Sequence, residues 1–577
     1  MNSKELIRNQ LKKYSILICI TIICTAIPFQ LNAQDLDDHR KCNWSRSGLS
    51  ADIPIGKEYN ITDFGADDKG IIPSDSSLAE ILELIGDIGG TIYFPPGEYL
   101  FTEPIRLSSG ISLQGHPFVR PVLNFDLVSE SSCVIASGRK LKDTILLTGD
   151  VERGDSYLRY GGGLPPESGV FHYLIDDDID KISSDWAKFS TGQIVVFHQI
   201  SKDFAHTEDE IRRDYLVENN SKLLVLEMVK GISISSVIIH NRTATERQTS
   251  NFELSYAHNC EIKCVESYNS NFAHVELNYC RNVEISGSYF KDAHEYGGGG
   301  QGYGAVLQYA TGDCLVYDNV FEHLRHSILL QAGANGNVVS YNYSIDPYWT
   351  ETSLPADAAG DLVCHGNYPY LNLFESNIVQ NIVIDDSHGE NGPFNTFFRN
   401  RAENYGIFMN PGIPSDSQNF IGNEVTSSGF LKGLYFLSGD DHYEYGNNIK
   451  GKTMTVGTED IDVVSYYSGE YITGMPWIGY PNEIDSQDIP AKVRYSKELL
   501  TSCDDDETHV AEVINNTYPH TINYQQFLEL VEKQDVSNIA IYDYCGQLIR
   551  TDVENPSLAK GIYFVVLSLG DLYILIP

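Results

Sequence analysis

The sequence predicts an all-β chain wound into a right-handed, single-stranded parallel β-helix, and three observations lead there. Helical periodicity is nearly absent. Short strands rich in Val, Ile, Phe and Tyr are punctuated by Asn and Gly, and asparagines recur behind those strands at a fixed spacing. Asn319 ("YDNVF"), Asn342 ("SYNYS"), Asn377 ("FESNIV"), Asn400 ("FRNRA") and Asn423 ("IGNEV") are separated by 23, 35, 23 and 23 residues, and Asn447 follows 24 later. Upstream, Ser288 ("SGSYF") and Ser267 ("VESYN") extend the register, with a gap of 21 between them and 31 on to Asn319. A period of roughly 21 to 24 residues is one turn of a β-solenoid. A sandwich or jelly roll gives no reason for a fixed repeat length. The two long gaps are turns that carry insertions.

Asparagine suits a coil corner because it tolerates left-handed backbone angles. Its amide can also bond to the same residue one coil above and below. The apolar residues around it, Val316, Val339, Leu373 and Phe397, are expected to stack into one continuous core.

The ends of the chain read differently. Lys4, Arg8, Lys12 and Lys13 precede an apolar run from Ile16 to Ile27 and a small-residue site at Asn32-Ala33, so residues 1–33 read as a secretion signal. The run is short for a membrane span, and no later segment is long and apolar enough to cross a bilayer, so the mature chain is expected to be secreted, extracellular or cell-surface. With 79 acidic against 40 basic residues, the formal net charge of −39 argues against nucleic acid as a partner. Nine of the 11 cysteines lie beyond the signal. That odd, scattered set is no disulfide framework, and none has zinc spacing, so most are expected to be small buried hydrophobes.

The β-helix is expected over 34–480, with an N-terminal cap at about 50–115 that contains one amphipathic helix, about Leu78 to Ile85. Residues 481–520 read as a linker and 521–577 as a small β-sandwich. No coil register runs through 136–225, and no role is read from it. "NITDFGADDKG" (60–70), "GGTIYFPPGEYLF" (89–101) and "IRLSSGISLQG" (105–115) resemble the cap and first coils of the pectate-lyase-3 superfamily, also called glycosyl-hydrolase-family-28-related. That resemblance implies the fold and a polysaccharide partner, not a particular reaction. "YDYCGQLI" and "LAKGIYFV" near the C-terminus resemble the sorting domain of the type IX secretion system of Bacteroidetes, which implies that machinery as a partner. The family's usual short basic ending is replaced here by Leu575-Ile576-Pro577.

Both insertions leave the coil after the same corner, so both are expected to wall one side of it. The first holds His294, Glu295 and Gly297 to Gly300; the second holds Tyr348, Trp349, Asp361, His365, Tyr368 and Tyr370. Aromatic rings flanked by acids and amides suit a sugar site. The densest polar cluster follows in "IDDSHGENGPFNTFFRNR" (384–401), where the register places Asp385, Asp386 and His388 beside the second loop, near His365. The candidate catalytic residues are Asp385, Asp386, His388, His365 and Arg399; the candidate substrate-binding residues are His326, Arg325, Glu295, His294, Trp349, Tyr368 and Arg401. Carboxylates with His supply acid and base groups for breaking a glycosidic link, and Arg can neutralise a uronate. Of the polygalacturonase elements, only Asp385-Asp386 has a counterpart, so the inverting hydrolase mechanism is not carried over. The acids with an Arg are compatible with calcium-dependent elimination, and His388 or His365 with a His/Tyr lyase; no metal ligand is assigned. The expectation is a secreted polysaccharide-degrading enzyme, lyase or glycoside hydrolase. The alternative is a non-catalytic, glycan-binding or adhesin-like surface protein, with the same polar groups merely capping turns.

Overall fold

A computed structural model describes residues 36–504, apart from 162–164, 179–181, 351–353, 411, 459–460 and 468–487, together with the backbone of five strands between 521 and 576. The predicted signal, 1–33, lies outside the described residues. The chain is a right-handed parallel β-helix in which each complete coil lays down three strands. Leu315–Tyr317, Val320–Glu322 and His326–Leu330 form one coil, and each pairs in parallel with Val338–Ser340, Tyr343–Ile345 and Leu362–Cys364 of the next. The first strand of each coil joins a 13-stranded sheet, and the other two build a bent 21-stranded sheet. The helix Asp75–Ile85 lies at the N-terminal end and buries Leu78, Ile81 and Ile85.

Alternation along a strand sends every second side chain inward. Ile285, Val316, Val339, Phe374, Phe397 and Phe420 thus occupy one interior column, register by register. The rings of Phe374, Phe397 and Phe420 stack at 4.7 and 5.2 Å. Leu373, predicted for this column, faces the other way, because Phe374 is the residue that pairs with Val339.

The asparagine ladder is present, with one correction to its physics. The side-chain amides of Asn319, Asn342, Asn377, Asn400 and Asn423 each donate to the carboxamide oxygen of the next corner Asn at 2.9–3.1 Å. Each also donates to a backbone carbonyl of the preceding coil. The left-handed angles belong to the residue before: Asp318, Tyr341, Ser376 and Arg399 have φ between 53° and 59°, and Gly422 and Gly446 take the same place. The chain bends there, and the Asn behind the bend is left free to aim its amide along the helix axis. Ser288 holds the register, since its N–H donates to Asn319 Oδ1 at 3.0 Å. Ser267 does not: Val265 donates to Ser288 Oγ, and Ser267 pairs with Phe290. A second ladder, Asn337–Asn372–Asn395–Gln418, runs parallel to the first with amide contacts of 2.9–3.0 Å.

The stretch without a coil register is a second structure. Arg139–Leu147, Tyr157–Gly161, Phe171–Ile175, Gln193–Ile200, Phe204–Thr207 and Lys222–Glu227 close into a six-stranded antiparallel barrel with its own core of Ile145, Leu158, Leu174, Phe197 and Leu223. It is inserted between coil strands and docks on the coils. Arg212 pairs with Asp313, Arg281 with Asp209 and Asp313, and Arg46 with Asp209, all but Arg46 buried.

Two terminal segments cross the coils from outside. Near the N-terminus, Trp44 Nε1 donates to the Leu371 carbonyl at 2.7 Å and Arg40 to Asn419 Oδ1 at 3.0 Å, while Ser47 accepts from Tyr467 Oη. Residues 488–504, inside the predicted linker, contain the helix Pro490–Ser496, pair Arg494 with Asp318 at 2.9 Å, and join Cys503 to Cys264 in a disulfide. Cys133, Cys260, Cys280, Cys314 and Cys364 are free and buried. The backbone of Thr521–Asn523, Ile539–Tyr542, Leu548–Arg550, Tyr563–Leu567 and Leu572–Ile576 forms a five-stranded sheet.

Two buried carboxyls tie stability to pH. Burial pushes Asp361 up to about 7 against hydrogen bonds from Ser344 and the N–H groups of Asn381 and Gln380. Burial likewise pushes Glu375 to about 7 against Ser465, Tyr466 and Tyr467. Both folded values lie above the ordinary carboxyl range. Their protonation therefore favours the fold most below about pH 4, and that contribution is lost as pH rises to about 7. The thermal midpoint is expected to be higher at pH 5 than at pH 8, and Asp361→Asn with Glu375→Gln should flatten the difference. An unchanged pH dependence in the double variant would show that these groups do not set it.

Candidate active site

The bent sheet places a line of polar side chains on its outer face, one per coil, each at or just past a strand end. Gln308, Gln331, His365, Asp385 and Asn410 follow one another along the axis. Gln331 donates to Gln308 Oε1 at 2.7 Å, and Asn410 donates to Asp385 Oδ1 at 3.2 Å. Beside this line runs an apolar row of Val306, Leu329, Val363 and Val383, capped by Phe272 and Tyr303.

The chemistry concentrates where His365 meets Asp385. His365 Nδ1 lies 2.9 Å from Asp385 Oδ2. A carboxylate this close favours the tautomer with the proton on Nδ1, which leaves Nε2 with a lone pair. Burial alone would raise the Asp385 carboxyl. Hydrogen bonds from His365 and from the Ser387 hydroxyl and N–H hold it well below the usual range instead. The His326 ring lies tilted at 5.8 Å from His365, centroid to centroid, and its Nδ1 donates to the Gly360 carbonyl at 2.8 Å, leaving Nε2 as an acceptor. Burial, then the charge of Arg325, lowers His326 to about 3, so it is neutral across the ordinary pH range. His388 stands edge-on to His365 at 4.8 Å and is lowered by burial and by that neighbour.

Four of the sequence-predicted residues, Asp385, His365, His388 and His326, therefore come together, with Arg325 at their edge. Arg325 lies 5.6 Å from the Tyr303 ring and 5.4 Å from the Trp349 ring, and donates to the Gly297 carbonyl of the first insertion. The two insertions also meet each other, with Tyr296 and Tyr348 in edge contact at 5.1 Å. Tyr303, 5.0 Å from the His326 ring, was not singled out from the sequence; a lone Tyr after a Gly-rich loop carries no signal of its own. Ser184 and Trp186 of the barrel also reach the cluster, at His388.

The remaining candidates lie elsewhere. Arg399 is the left-handed corner residue; it is buried against Phe398 and donates to the carbonyls of Ile461 and Val463, so it has no place in the cluster. Arg401 pairs with Glu424 at 2.7 Å. Asp386 accepts from the Ile413 N–H at 2.6 Å. His294 bonds to the Asn241 carbonyl, Glu295 is exposed on the first insertion, and Tyr368 packs on Tyr370. Asp385 and Asp386 thus engage different partners and do not converge as a calcium pair. Among the described residues, no group of three or more His, Cys, Asp or Glu side chains is arranged to hold a metal ion. The cleft of about 590 Å³ around Phe171, Val225 and Lys230, at the base of the barrel, is lined by none of these site residues.

Residues 59–148 match the family model described as rhamnogalacturonase A/epimerase, pectate lyase-like. The fold as a whole is a right-handed parallel β-helix. Solved structures similar to this β-helix include the tailspike protein gp49 of Pseudomonas phage LKA1, at 11% identity over 68% of this chain and 82% of that one, with a TM-score of 0.42. The A-module of the mannuronan C-5 epimerase AlgE4 of Azotobacter vinelandii is similar at 13% identity over 67% and 95%, TM-score 0.36. The Streptococcus pneumoniae surface adhesin PfbA is similar at 14% over 68% and 84%, also with a TM-score of 0.36. These likenesses concern the fold alone. A comparison with curated proteins gives no significant match.

Proposed function

We propose that this protein is an exported polysaccharide-degrading enzyme that cleaves a uronic-acid-containing glycan by β-elimination. The observation that carries this reading is the His365–Asp385 pair set beside neutral His326 and Tyr303, with Arg325 at the rim. The half-buried Arg325 guanidinium supplies the positive charge that a substrate carboxylate needs. With the carboxylate neutralised, His365 Nε2 takes the proton from the carbon next to it. The bond from the adjacent carbon to the bridging oxygen breaks, a C=C bond forms, and the Tyr303 hydroxyl returns a proton to the leaving oxygen. Asp385 keeps His365 in the tautomer that does this.

Elimination is favoured over hydrolysis because a glycosidase needs two carboxyl groups flanking the bond. Asp385 is committed to His365 and Ser387, and Asp386 to Ile413. The alternative, a surface protein that binds glycan without cleaving it, draws support from the low exposure of the imidazoles, 6% for His326 and 7% for His365. Export rests on the basic and apolar N-terminus, and use of type IX secretion machinery on the C-terminal motifs. Among the described residues, no helix is long and apolar enough to cross a membrane.

Incubation with a panel of uronic-acid and neutral polysaccharides tests the reading. An ultraviolet-absorbing unsaturated product is expected. New reducing ends without that absorbance would replace elimination by hydrolysis, and neither signal anywhere on the panel would leave the binding alternative.

A further inference from the structure

The inserted barrel sends one loop across the coils to the imidazole cluster. Ser184 Oγ lies 3.2 Å from His388 Nδ1. Two residues on, the Trp186 ring meets the edge of His388 at 5.5 Å and of Tyr309 at 6.0 Å, bridging coils that lie well apart along the axis. Tyr309 itself ends a row of stacked rings, Tyr256–Tyr279–Tyr309, spaced 4.8 and 5.5 Å apart. In the next coil Ala332 takes a left-handed position like theirs, and the indole of Trp186 carries the aromatic row on toward His388.

The coils are shaped to admit this loop. A Cβ on Gly333 would fall 2.0 Å from the Ser190 carbonyl oxygen, and one on Gly389 would fall 2.9 Å from Ser183 Cβ. Ser183 N–H also donates to Asn367 Oδ1 at 3.1 Å. The loop is therefore seated at both ends, yet Trp186 remains 42% exposed. A large aromatic ring held in place with this much surface exposed is only partly used in packing. It touches His388 of the candidate active site, where a flat apolar face and one N–H suit the face and hydroxyls of a pyranose ring.

We infer that Trp186 is a substrate-binding residue supplied by the inserted barrel, stacking on a sugar ring of the polysaccharide beside the bond that is cut. Ser184 is the positioning residue behind it, fixing which ring nitrogen of His388 faces the groove. This inference rests on the reading of the cluster as a polysaccharide site.

The test compares wild type, Trp186→Ala and Trp186→Phe on whichever polysaccharide the wild type cleaves or binds, with thermal unfolding followed in parallel. Trp186→Ala is expected to raise KM, or Kd if there is only binding, by roughly tenfold or more. kcat should stay within a few-fold and the thermal midpoint unchanged, while Trp186→Phe recovers part of the affinity. An unchanged KM in Trp186→Ala would overturn the inference and leave the proposed function standing. A lowered thermal midpoint in both variants, with KM following stability, would make Trp186 a packing residue and overturn it as well. If the wild type neither cleaves nor binds any glycan, the proposed function fails and the inference fails with it.

Discussion

Replacing His365 with alanine should lower kcat/KM on the cleaved polysaccharide by about 100- to 10,000-fold, the span typical of a general acid or base. The fold should survive, because His365 sits on the outer face of the sheet and the coil interior below it is Leu362 and Cys364. Asp385→Asn should act in the same direction for a different reason. An amide at that place can offer His365 its NH2 as well as its oxygen, so the imidazole is no longer held in one tautomer. The two defects should not add, since both remove one functional unit. Steady-state kinetics on the two single variants and the double, with thermal unfolding as a control, decide the matter. Additive losses, or loss of the folded state in His365→Ala, would remove the pair from the mechanism.

The second large effect is on stability. Asn377 stands mid-ladder: its amide donates to Asn400 and to the carbonyls of Val339 and Glu375, and its oxygen accepts from both the N–H and the side chain of Asn342. Asn377→Ala would strand several of these groups in a site that is 0% exposed. Each buried polar group left without a partner costs about 1–3 kcal/mol, so a total loss of about 3–5 kcal/mol is expected. Asn377→Asp should also destabilise, because a carboxylate cannot donate to Val339. Denaturant unfolding measures both. A loss below about 1 kcal/mol for Asn377→Ala would mean that water or a backbone shift takes over the ladder.

How far the sequence could be read follows from which interactions repeat. Coils repeat, so Asn319 through Asn447 were legible as corners, and the gaps of 31 and 35 as insertions that meet over one face. The same register brought Asp385 and His388 to His365. It failed at Arg399 because the residue before the Asn is the left-handed one, and its side chain turns under the segment around Ile461 instead of toward the groove. The barrel was illegible because antiparallel strands joined by unequal loops have no period, and Ser184 and Trp186 were hidden with it. Tyr303 could be found only from the three-dimensional fit of its ring against His326.

The two terminal segments change what kind of solenoid this is. A repeat array held only by neighbouring coils can fray from its ends, one turn at a time. Here Arg40 reaches Asn419, Tyr467 reaches Ser47, and Cys503 is bonded to Cys264. Sequence separations of 379, 420 and 239 residues are thereby closed into loops around the stack. Segments flanking the coils, which would otherwise melt first, instead act as a girdle. The central coils should then be lost together, and the last step of folding must await the segment that follows the final coil.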